Sequence, residues 1–141
     1  MGTWDVGPFD NDTAADFCGD LDEAAADERE GMIRSALTRV IDTENYIEAP
    51  ESDVAVAAAA LVAAQCPQGP ATDSVYGPEE PLPDLAGLRN LAHQALDRVM
   101  TEPSELLELW DGTQGGVWRA EIHRLQNVLL PQPLGAQLRL A

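Results

Sequence analysis

The chain contains no lysine: its eight basic residues are all arginine, set against 25 Asp and Glu in 141 residues, for a formal net charge of -17. Such a balance excludes a surface built to neutralise phosphates, and with it binding to DNA, RNA or an anionic membrane. Together with the abundance of alanine, the missing lysine reads as GC-rich coding bias and not as chemistry. Aromatic residues are equally sparse, at 5% of the chain. Trp4, Trp110 and Trp118 fall near termini and turns, where they are expected to pack a small core sooner than form a ligand cage. Cysteine occurs twice, at Cys18 and Cys66, too few for a disulfide framework. The pair fits a reduced cytoplasm, with a single bridge between the two left open. No signal-peptide pattern of a basic start and a 7–15-residue apolar run opens the chain. The least polar stretch, Val54 to Ala64, is mostly alanine and about half the ~20 residues of a membrane span. These absences point to a cytoplasmic location without membrane attachment.

A chain of this length makes one domain with a core of its own, and its apolar content of 45% argues against a disordered acidic tail. The patterning is helical throughout. Asp10, Asn11, Asp12 and Thr13 are all capping residues, and Thr13-x-x-Asp16 resembles a capping box with Asp in place of Glu. They open a helix to about Asp22 that buries Ala14, Phe17 and Leu21. A second helix, about Ala25 to Thr43, carries the stripe Met32, Ile33, Ala36, Leu37, Val40, Ile41. A third begins near Ser52 or Asp53, runs through the alanines and ends at Pro67. Its small side chains allow close approach of neighbours, which places it centrally. Gln65 to Pro83 is the only long loop and holds five of the ten prolines, a length that makes it mobile or functional. A fourth helix spans Asp84 to about Met100. Pro103 suits the first position of a short helix, Ser104 to Trp110. Gly112, Gly115 and Gly116 separate it from a sixth helix, Val117 to Leu130. The expectation is an all-α single compact domain of five to six helices over residues 1–130, with a short tail over 131–141. Ala57, Leu61, Leu37, Leu88, Leu91, Leu96, Trp110 and Leu125 are expected to be buried.

Chemistry-bearing motifs are few. Read as a calcium loop from Asp10, the chain places Ala14, Ala15 and Leu21 where the motif demands a ligand, a glycine and a bidentate Glu. Helix capping explains the acidic run better. Asp16, Asp20 and Glu23 share one helix face, but carboxylate metal sites in bundles add Glu-x-x-His pairs. Neither His93 nor His123 has an acidic residue three positions before it. Neither cysteine has a histidine nearby in sequence, Ser52 and Ser104 stand where helix caps belong, and phosphate-binding and G-x-S-x-G motifs are missing. No catalytic residue, metal ligand or cofactor is therefore expected, and the protein reads as a non-enzyme.

What stands out is the acidic amino-terminal third: residues 1–53 carry fifteen Asp and Glu and three Arg. Asp16, Asp20, Asp22, Glu23, Asp27 and Glu28 cluster around the end of the first helix and the start of the second, beyond what capping needs. The plain account is a solvated exterior; the sharper one is a surface that engages a basic protein.

Met1-Gly2-Thr3-Trp4, Gly7-Pro8-Phe9-Asp10-Asn11-Asp12-Thr13-Ala14-Ala15-Asp16-Phe17, the alanine run Val56 to Ala64, Ser104-Glu105-Leu106-Leu107-Glu108-Leu109-Trp110 and Trp118 together resemble the bacterial family termed domain of unknown function 4259. Asp5 stands where the family more often has Gly. The resemblance implies a small cytoplasmic helical domain and supplies no catalytic residue. On physical grounds Ser104 should cap its helix, Glu105 and Glu108 face water, and Leu106, Leu107, Leu109 and Trp110 anchor it. The expected function is an acidic protein-binding module, of immunity, antitoxin or phosphate-mimicking inhibitor type, acting on a basic partner. The alternatives are an enzyme or small-ligand binder with a site near the 65–83 loop, and a structural or self-associating helical domain.

Overall fold

A computed structural model describes residues 12–65, 85–111 and 115–129. They form six α-helices: α1 (Asp12–Glu23), α2 (Arg29–Asp42), α3 (Ala49–Ala64), α4 (Arg89–Val99), α5 (Glu105–Asp111) and α6 (Gly115–Leu129). One 3₁₀ turn, Ala26–Glu28, leads into α2 and another, Ala86–Leu88, leads into α4. The all-α expectation holds. Among the described residues β pairing amounts to an isolated parallel bridge, Ile47 to Ser104. No helix among them is long and apolar enough to cross a membrane.

Helix α3 forms the axis. Every residue from Ala55 to Ala63 is buried, and α1, α2, α4 and α6 all pack on this helix. A helix apolar on all sides has no choice but to be surrounded, and alanine lets the surrounding backbones come close. The larger side chains come from the neighbours: Leu21 from α1, Ile33, Leu37 and Val40 from α2, Leu96 and Val99 from α4, Trp118, Ile122, Leu125 and Leu129 from α6. Of the residues expected in the core, Ala57, Leu61, Leu37, Leu88, Leu96 and Leu125 are buried. Leu91 is only half-buried, packed against the core edge, and the Trp110 side chain lies outside the described residues.

Several boundaries differ from the sequence reading, each for a local reason. Helix α1 already includes Asp12, so Thr13 sits within its first turn and is not the cap; Asp10 and Asn11 lie outside the described residues. Its buried face is Ala14, Cys18 and Leu21, spaced four and three, which rotates Phe17 to a half-buried position. Helix α2 starts only at Arg29, because Ala25 is extended (φ -63°, ψ 147°) and a 3₁₀ turn intervenes. Helix α3 starts at Ala49 with Pro50 in its first turn, where proline's missing N–H is not needed. Ser52 is therefore inside the helix and fully buried, not a cap. The α3 amino-terminus is capped from a distance: Glu105 Oε1 accepts the Ala49 N–H at 2.8 Å. Pro103 precedes α5 instead of opening it, and Ser104 caps as expected, its Oγ accepting the Leu107 N–H at 3.4 Å. Leu106 and Leu107 anchor α5, but Leu109 is 58% exposed. Gly115 and Gly116 belong to the first turn of α6. The amino-terminus to Asn11, Cys66, most of the 65–83 loop and the tail, for which the sequence raised expectations, lie outside the described residues.

Arginine closes the framework. Arg98 donates to Thr43 O (3.0 Å), Asn45 O (2.6 Å), Thr101 O (2.8 Å) and Pro103 O (3.4 Å), tying the chain after α2 to the chain after α4. The planar fork satisfies carbonyls in two directions, which an ammonium cannot do. Arg89 likewise reaches Val128 O at 3.2 Å in the last turn of α6. Replacing Arg98 with Met should lower stability by about 2–3 kcal/mol, and Arg98→Lys should recover only a minor part; urea titration of the three proteins measures it. Gly19, exposed within α1, has nothing within 4 Å of where a Cβ would sit. Gly19→Ala should therefore stabilise by about 0.5–1 kcal/mol, seen as a Tm higher by a few degrees.

Candidate partner-binding surface

The acidic turn between α1 and α2 is built on a buried arginine. Arg29 opens α2 yet folds back beneath the preceding turn, 8% exposed. Its Nε donates to Leu21 O at 2.8 Å, and its Nη2 to Ala24 O at 2.9 Å and Asp22 O at 3.4 Å. A cation at a helix carboxyl end satisfies orphan carbonyls and complements the helix dipole. The result is a fixed corner from which the carboxylates project. Asp16, Asp20, Glu23, Asp27 and Glu28 are exposed. Asp22 differs: it is half-buried, and its charge acts on the Cys18 thiol one turn earlier.

Between α1, α2 and the start of α3 lies an open groove of about 850 Å³. Half-buried Phe17, Met32, Ala36 and Val54 line it, and Asp20 and Glu28 stand among its polar residues. Arg39 and Glu51 line it too, with Arg39 Nη1 4.0 Å from Glu51 Oε2. Two of the six acidic residues singled out by sequence thus join the groove. Asp16, Asp22, Glu23 and Asp27 do not line it. Sequence reasoning missed the groove because Phe17 and Met32 satisfy a core stripe as well as a groove wall.

A second acidic site lies where α3 and α5 meet. Ile47 N donates to Pro103 O at 3.3 Å and Glu105 N to Ile47 O at 2.9 Å, so the parallel bridge sets the start of α5 against the start of α3. Glu105, expected to face water, is instead half-buried as the α3 cap. Glu108 is exposed and accepts the Tyr46 hydroxyl at 3.1 Å. Burial, reinforced by the negative charge of Glu105, pushes the Asp53 carboxyl up to about 7 from an ordinary 3.8. Sequence offered no signal for Asp53 beyond an acidic residue near a helix start.

The arrangement offers little to nucleophilic chemistry. Cys18 is buried at 1% exposure, and burial, then the charge of Asp22, pushes its thiol up to about 12. A thiol held protonated is a poor nucleophile. His93 is half-buried on α4 and His123 exposed on α6, and neither lines the groove. Among the described residues no three His, Cys, Asp or Glu side chains gather as a possible metal site.

Five helices around an alanine-rich sixth, with an acidic corner beside an apolar groove, define a small all-α domain among the described residues. A family model matches residues 2–121, and the chain belongs to that family, domain of unknown function (DUF4259). No curated protein and no solved structure matches the chain.

Asp53 makes a pH prediction. Its folded-state pKa lies above the unfolded value, so the native state holds the proton more tightly. Any stability linked to that proton is present below pH 4 and lost as pH rises towards 7. Asp53→Asn should therefore raise Tm most above pH 7, and the gain should shrink steadily to nothing near pH 4. A gain independent of pH would contradict this account.

Proposed function

We propose that the domain is an acidic protein-binding module that engages a basic protein through the α1–α2 corner. The observation that supports this most is the five exposed carboxylates, Asp16, Asp20, Glu23, Asp27 and Glu28, held on a corner that Arg29 fastens from below through main-chain carbonyls. Like charges gathered on one surface repel one another, and a basic partner relieves that repulsion. They also steer encounter, giving fast, salt-sensitive association. The corresponding biological class is an immunity- or antitoxin-type inhibitor, cytoplasmic, that occupies a phosphate-binding groove by presenting carboxylates in place of phosphates. This reading assigns the domain no catalytic role.

The test combines Asp20→Asn, Glu23→Gln and Asp27→Asn in one variant. It should fold and melt at the wild-type temperature or slightly above it at low salt. Partner candidates are the basic products of neighbouring reading frames. Stopped-flow association with the cognate product should slow at least tenfold in the variant. It should slow likewise for wild type as salt shrinks the Debye length below about 8–10 Å. An association rate indifferent to both changes would mean that the carboxylates are only a solvated exterior.

A further inference from the structure

We propose that the α1–α2–α3 groove receives the apolar face of a basic amphipathic helix of about three turns, presented by the partner protein; this rests on the acidic-module reading above. The groove wall formed by the end of the 3₁₀ turn and α2 runs from Glu28 to Arg39, about 16 Å at the helical rise of 1.5 Å per residue. Its apolar lining is Phe17, Met32, Ala36 and Val54, all half-buried and so part-way desolvated already. All three walls are helical and present no sheet edge. A strand would find no edge to pair with, and the occupant must bind through side chains. That is the helix-in-groove mode, read through apolar anchors at i, i+3, i+4 and i+7.

Charge complementarity specifies the rest of the occupant. Exposed Asp20 and Glu28 lie in the lining, and Asp16, Glu23 and Asp27 project from the adjoining corner. The groove's own cation, Arg39, faces Glu51. A helix with basic flanks and an apolar stripe meets both features at once.

Gly31 gives access to the groove for a test. It lies in α2, is exposed and lines the groove. A Cβ there would meet nothing within 4 Å, so a larger side chain placed at this position would occupy the groove without disturbing an internal contact.

The experiment measures fluorescence anisotropy of two synthetic 14-residue peptides titrated with the full chain. Both carry the same lysines; one has leucines at i, i+3, i+4 and i+7, and the other has serines there. The leucine peptide should bind at least tenfold more tightly. Gly31→Leu, which fits the open space, should keep the wild-type Tm or exceed it while reducing that preference below threefold. Gly19→Leu, equally exposed but not lining the groove, should leave the preference intact. Equal, salt-sensitive binding of the two peptides would overturn the groove while leaving the acidic-module reading standing. Binding of neither would overturn both. A wild-type dimer in sedimentation that Gly31→Leu converts to a monomer would overturn the partner helix by making a second copy of the chain the occupant.

Discussion

Alanine in α3 is the constraint on which the other helices depend. Because Ala55 to Ala63 offer neighbours only methyl groups, interrupted by Val56, Leu61 and Val62, the central helix is a thin rod. It buries modest area per residue, so most of the apolar surface removed from water must come from the leucines and isoleucines that reach towards it. Burial of each such side chain is worth about 1.5–3 kcal/mol. A bulky axis would hold the surrounding helices apart and open voids between them, and close packing makes voids costly. The rod's narrowness is therefore what lets α1, α2, α4 and α6 share one centre.

A core of this type leaves loop ends and helix ends to be fastened by polar groups, and arginine does much of it. Arg29 secures the end of α1, Arg89 reaches the end of α6, and Arg98 joins two inter-helical connections through four carbonyls. In a lysine-free chain with three arginines for every nine or so acids, cations engaged with the main chain leave much of the acidic surface to solvent. The exposed pairs Arg34–Glu30 and Arg124–Glu121, each at 2.5 Å, are of the kind that contributes little. Structure and surface charge thus draw on the same few residues.

The fold was legible because its signals are local and periodic. The spacing of Ile33, Leu37 and Val40 is visible without knowing any neighbour, and the alanine run announces its central position by composition alone. What stayed hidden depends on contacts between segments far apart in the chain. Glu105 looks like a solvated helix residue until the Ile47–Ser104 bridge brings α3 within its reach. Ser52 looks like a cap until that same contact moves the helix start back to Ala49. Asp53 acquires its unusual proton affinity only from burial and the Glu105 charge in that joint. Phe17 and Met32 lie on apolar stripes whose outer margin turns out to border a groove, because a stripe wider than its partner's footprint cannot declare which edge remains uncovered. The six carboxylates were legible as a cluster, but the arginine beneath them was not.

The hydrogen bond from Leu85 N to Gln65 Oε1, at 2.7 Å, brings the last residue of one described segment to the first of the next. The ends of these two segments therefore meet directly, although nineteen residues separate them in sequence. The entropic cost of holding two chain positions together grows only logarithmically with the number of residues between them. The junction between the end of α3 and the approach to α4 is thus fixed by a contact whose cost depends little on how far apart Gln65 and Leu85 lie in sequence.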